Sequence, residues 1–131
     1  MTTDFIAIMP FMKHLGIAVE SATPGEVKGT LAWRDELCTT ASVIHGGALM
    51  SLADSLGAVC AFLNLPEGAT TSTIESKTNF FRPVIRGAVH GTTTPLHVGR
   101  TTIVVQTDLR DDAGKRVALV TQTQAVIPRR P

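Results

Sequence analysis

The sequence predicts an α+β domain in which one antiparallel sheet packs on a single long helix, and three observations predict it. A hairpin pattern comes early, a helix-length run that is apolar on every side follows, and four β-like runs come after it without a helical break. A half-apolar sheet needs a covering layer, and a helix apolar all round needs wrapping, so each answers the other.

Residues 4–14 place Phe5, Ile6, Ile8, Met9 and Met12 at the spacing of a short amphipathic helix, about residues 3–14, which Pro10 kinks or delays. Between Gly16 and Trp33 the pattern turns β-like. Ile17, Ala18 and Val19 precede the turn signal Thr23-Pro24-Gly25, and then Val27, Gly29, Leu31 and Trp33 alternate with polar neighbours. The central helix, about residues 46–64, opens at Gly46-Gly47 and stops before Pro66-Glu67-Gly68. Four strands follow over residues 71–81, 89–98, 101–109 and 116–127, the last two joined by the hairpin turn Asp111-Asp112-Ala113-Gly114.

The 131 residues fit one domain spanning the whole chain, long enough to bury roughly two-thirds of its unfolded surface. Apolar residues at 44% against 18% charged exclude a disordered chain, and a net charge of +1 provides no field for nucleic acid or an anionic membrane. The start carries no secretory pattern, because Asp4 and Lys13 interrupt it and no small-residue cleavage site follows. The charge-free apolar stretch 56–65 is too short to span a bilayer. Cys38 and Cys60 could pair in principle, but Cys60 sits in an apolar run that suits a buried free thiol, and the expectation is a reduced, cytoplasmic protein.

Between His45 and Glu67 the only carboxylate is Asp54. A mid-helix aspartate among apolar neighbours costs several kcal/mol if its charge is buried unpaired. Two readings stand: the group caps a loop or pairs with an arginine of the sheet, or it does chemistry. Gly46 and Gly47 bear on the choice. Lacking side chains, they let a ligand approach backbone N–H groups at the positive end of the helix, a ready site for a carbonyl oxygen turning anionic. Eight residues separate Gly46 from Asp54, about 12 Å along one helix axis. Both groups therefore meet on one carbonyl only if two such helices run antiparallel across a two-fold axis.

The run His45-Gly46-Gly47-Ala48-Leu49-Met50-Ser51-Leu52-Ala53-Asp54 resembles the hotdog thioesterases of the phenylacetate-degradation (PaaI-like) type. Their pattern is HGG followed by an acid nine positions after the histidine, and the element order agrees from about Gly16 to Ile127. The resemblance implies a hotdog fold and an acyl-CoA thioesterase with no cofactor, coenzyme A being part of the substrate. It implies a homodimer or homotetramer whose active sites lie between subunits. Asp54 is then the nucleophile or the general base, and the partner's Gly46 amide the oxyanion donor. Family members carry Asn or Gln fifteen positions before the acid, where this chain has Thr39. A hydroxylated residue early in the strand after the helix assists catalysis, matched here by Thr73 with Ser72 as the alternative. The turn His97-Val98-Gly99-Arg100-Thr101-Thr102 stands where relatives contact the nucleotide or pantetheine, which marks His97, Gly99, Arg100 and Thr101. Arg82 is placed to reach a phosphate and Phe80 to line the channel, with His45 and Gly47 as further substrate contacts. Arg86, Arg110 and Arg116 are read as solvated charges, and Glu75 with Lys77 as a cross-strand or interface pair.

The histidines and cysteines form no metal-ligand spacing, and no GxSxG elbow, GxGxxG or P-loop is present. The expected reaction is hydrolysis of a small to medium acyl-CoA, aromatic acyl groups included. A non-catalytic acyl-CoA-binding or sensing protein is the alternative, motivated by Thr39, and an enoyl-CoA hydratase is a weaker one.

Overall fold

A computed structural model describes residues 4–130. The N-terminal segment is two helices where the sequence suggested one. Asp4 caps α1 (Phe5–Ile8), its Oδ1 accepting the Ala7 N–H at 3.2 Å. Pro10 opens α2 (Pro10–Leu15) at a first-turn position where its missing N–H loses no hydrogen bond, so the break falls at Met9. Residue 3 of the expected helix lies outside the described residues. α2 stops at Gly16, whose φ of 78° is the left-handed C-cap that glycine adopts without strain.

Strands β1 (Ile17–Thr23) and β2 (Glu26–Ala32) form the early hairpin, with Ile17 opposite Leu31. After two short 3-10 turns comes α3 (Gly46–Leu63), then β3 (Thr70–Phe80), β4 (Ala88–Val98), β5 (Thr102–Arg110) and β6 (Arg116–Ile127). All six strands join one antiparallel sheet in the order β1-β2-β4-β5-β6-β3. The chain thus lays β3 on the far edge, beside β6, before returning to place β4 against β2. One antiparallel sheet around one long helix is the hotdog architecture.

The helix sits close on the sheet because two glycines face it. Gly29 and Gly91 are register partners, and a Cβ on either would lie 2.6 Å from a Leu56 methyl. Leu52, Leu56, Val59 and Cys60 join Val27, Leu31, Val89, Ile103, Val105, Leu109 and Val120 in one core. At about 25 cal/mol per Å² of apolar area removed from water, that contact is the main source of stability.

Only the sheet-facing side of α3 is covered, contrary to the expectation of wrapping on every side. Gly47, Met50, Ser51, Asp54, Ala58 and Phe62 form a stripe that is half-buried or open, with Met50 38% and Phe62 46% exposed. This helix is long and apolar enough to cross a bilayer (18 residues, mean hydropathy 1.5), yet more than half of it is buried inside the fold. β3 is an edge strand along its whole length, and its Ile74 is 63% exposed. Cys38 and Cys60 are both free, and Cys60 is fully buried.

Candidate active site

The entry to α3 is pinned on both sides. Ile44 N–H donates to Val84 O at 2.9 Å, and His45 N–H donates to Leu37 O at 2.8 Å. His45 is the N-cap, its Nδ1 accepting the Gly47 N–H at 2.7 Å. The imidazole thereby satisfies one of the orphan donors of the first turn, and its neutral tautomer carries the proton on Nε2. This reassigns Gly47, whose amide is engaged by the cap and is not free for substrate. The Gly46 amide donates to no acceptor among the described residues. Gly46 is also where a ring crosses the helix start: a Cβ there would lie 3.2 Å from Phe80 Cζ.

Thr39, Gly46, Phe80 and Arg82 come together, with Leu49 and Pro83, around one pocket of about 370 Å³. Thr39 heads a 3-10 turn and its N–H donates to Val43 O at 2.8 Å. Arg82 is tied to the sheet through its own N–H on Val117 O, which leaves the guanidinium exposed at the pocket rim.

Asp54 opens on a second pocket, of about 300 Å³, lined by Gly47, Met50, Ser51 and Ser76. It is not a buried charge, as the sequence suggested, but an exposed one on the open stripe of α3. No arginine or lysine pairs with it among the described residues. Its Oδ1 accepts two hydrogen bonds instead, one from Thr73 Oγ1 at 3.3 Å and one from Gln122 Nε2. Thr73 in turn receives Gln124 Nε2 at 2.9 Å, and Thr71 Oγ1 donates to Gln124 Oε1 at 3.2 Å. No described residue donates to Oδ2. The hydroxyl beside the acid is therefore Thr73 and not Ser72, because Thr73 stands opposite Gln124 on the helix-facing side.

Gln122 and Gln124 escaped the sequence reading, although a signal was there. Along β6, Val120, Gln122, Gln124 and Val126 are buried while the residues between them are not. Two amides in the core phase of a period-2 pattern need partners, which marks a polar site on the inner face.

The remaining candidates stand apart. His97 lies at the end of β4, and Gly99, Arg100 and Thr101 form the β4–β5 turn, closed by the Gly99 N–H on Thr102 O at 2.8 Å, with the His97 ring over Gly99. Ile103, just past the turn, pairs with Gln124, which pairs with Thr73. The turn thus lies at the level of the acid but two to three strand spacings, about 10–14 Å, across the sheet from β3. Arg110 and Arg116 are not free charges, since both clamp Asp108, at 2.8 and 3.0 Å. Glu75 and Lys77 form no ion pair among the described residues.

A carboxylate held through one oxygen and open at the other can attack a carbonyl or take a proton from water. An unpaired amide at a helix N-terminus can take up the charge that develops on oxygen. Residues 41–118 match the model of the thioesterase superfamily, which contains the helix start, Asp54 and Thr73. A Vibrio cholerae protein with a provisional esterase name is 32% identical over 92% of this chain and 80% of its own length. The Klebsiella pneumoniae proofreading thioesterase EntH is 30% identical over 79% of this chain and 75% of its own. The crystal structure of a Haemophilus influenzae thioesterase superposes with a TM-score of 0.87 at 27% identity, covering 97% of this chain and 92% of that one. Family model, relatives and fold agree: this chain belongs to the thioesterase superfamily and is a thioester hydrolase.

Proposed function

We propose that the chain hydrolyses small to medium acyl-CoA thioesters, aromatic acyl groups included, to the free acid and CoA, in an active site shared by two copies. One observation carries this reading: the free Gly46 amide and the open Asp54 carboxylate belong to the same helix, too far apart to meet on one carbonyl. Paired antiparallel, two helices supply one of each to every site. The stripe of α3 that the sheet leaves uncovered and the unpaired edge of β3 are where a second copy fits.

In that site the Gly46 N–H of one copy donates to the carbonyl oxygen while Asp54 of the other acts from the opposite side. Either Oδ2 attacks the thioester carbon, or it removes a proton from the water that does. The C–S bond then breaks and CoA leaves as thiolate; on the first route water cleaves the acyl–Asp54 anhydride so formed, on the second the attacking water itself becomes part of the acid, and on both a proton from that water goes to the thiolate. Carboxylate, amide and water suffice for this chemistry. Arg82 at the pocket rim and Arg100 on the β4–β5 turn are the cations suited to the phosphates of CoA.

The test is a panel of acyl-CoAs followed by release of free thiol, run alongside calorimetric binding of the same esters. Thiol release with turnover supports hydrolysis. Saturable binding without thiol release would establish a binding protein instead, and loss of an enoyl chromophore without thiol would establish a hydratase.

A further inference from the structure

We propose that Gln122 is the positioning residue of the active-site carboxylate, and that Gly57 exists to let it reach. This rests on Asp54 being the reacting group, and the test below separates the two claims.

Gln122 is 1% exposed, so it cannot touch substrate. Its amide nitrogen crosses from the inner face of β6 to Asp54 Oδ1, which also receives Thr73. Both donors act on the same oxygen. That fixes the side-chain rotamer and turns Oδ2, which has no described donor, toward the pocket. The amide could not serve in the opposite orientation, because its oxygen would then face a carboxylate. Its Oε1 meets no donor among the described residues and lies against Gly57, one turn beyond Asp54 on α3. A Cβ on Gly57 would overlap the Gln122 carboxamide, so any side chain there displaces it. Gly57 lies inside a helix, where alanine is intrinsically favoured, and nothing in its backbone demands glycine. What demands glycine is the neighbouring amide. Gln124 holds Thr73 in the same way from the next inward position of β6, so two buried amides on one strand orient both groups beside the pocket.

The experiment compares Gln122→Met, Gln122→Glu and Gly57→Ala with wild type and with Asp54→Asn, on an acyl-CoA that the wild type hydrolyses. Gln122→Met keeps the volume and removes the donor. It is expected to lower kcat about 10- to 100-fold, the usual loss for a supporting hydrogen bond, with KM changed less than about 3-fold. Gln122→Glu can donate to Oδ1 only when protonated, so its rate relative to wild type should rise as pH falls. A merely structural role would leave that ratio flat. Gly57→Ala should lower kcat like Gln122→Met, and adding it to Gln122→Met should cost little more, because both break one contact.

Wild-type kcat in folded Gln122→Met overturns the proposal. So does a pH-independent ratio for Gln122→Glu, or full additivity of Gly57→Ala with Gln122→Met. Should Gln122→Met fail to fold, the Gln122→Glu ratio decides alone. If Asp54→Asn turns over normally, the reading of the site itself has failed, a different result from any of these.

Discussion

The His45 imidazole accepts the Gly47 amide through Nδ1 at 2.7 Å, and this one bond leaves Gly46, not Gly47, with the available N–H at the start of α3. The bond is an N-cap, and losing such a cap typically costs about 1 kcal/mol. His45→Ala should therefore lower Tm by about 3–5 °C, while His45→Asn, whose side-chain oxygen can cap, should recover most of it. Thermal unfolding followed by circular dichroism checks this, and an unchanged Tm in the alanine variant would refute the capping role.

Asp54 makes no ion pair among the described residues, so its replacement leaves no buried charge stranded. Asp54→Asn and Asp54→Ala should fold and assemble like wild type while losing at least about 100-fold in kcat, the scale of acid–base catalysis. Thiol release together with size-exclusion chromatography measures both. An alanine variant as active as wild type would show that some other group does the chemistry.

The open edge of β3 carries Ile74, 63% exposed beside a bulge in the β3–β6 pairing. Placing a cation there sets like charges against each other if a second β3 docks alongside. Ile74→Lys is expected to shift the protein toward monomer in sedimentation and to reduce activity in parallel. Loss of the oligomer with activity retained would contradict a site shared between copies.

Burial pushes the Cys60 thiol up to about 11. It is therefore protonated at about pH 8, and a protonated, enclosed thiol is a poor nucleophile. Cys60 should stay unmodified by a disulfide reagent in the native protein and react on denaturation. Fast labelling of native Cys60, located by mass spectrometry, would show that this part of α3 opens readily.

Burial raises the Asp108 carboxyl, but hydrogen bonds from Arg116 and Arg110 outweigh it and hold the group below its ordinary value. A depressed folded value means that the contribution to stability is present above the ordinary aspartate pKa and is lost as pH falls through the folded one. Asp108→Asn should flatten the fall of Tm below about pH 4 and slightly lower Tm at neutral pH. An identical acid limb in the variant would place the acid sensitivity elsewhere.

Local patterns were legible in the sequence because their periods are short. The alternation from Val27 to Leu31, the stop after Asn64 and the turn at Asp111–Gly114 each depend on neighbours a few residues away, and the strands fall within a residue or two of where they were expected. The spacing of Gly46 and Asp54 likewise followed from helix geometry alone, and it is what motivates the proposal of a second copy. What only the tertiary structure decided was which strand lies beside which. Placing β3 next to β6 at the sheet edge is a non-local choice that no period records and brings Gln124 to Thr73, while the packing of α3 across β6 brings Gln122 to Asp54. The open stripe of α3 was hidden for a related reason. Alanine, methionine and phenylalanine read the same in sequence whether they face their own sheet or an uncovered surface, so the sequence by itself presents the exposed Asp54 as a buried one.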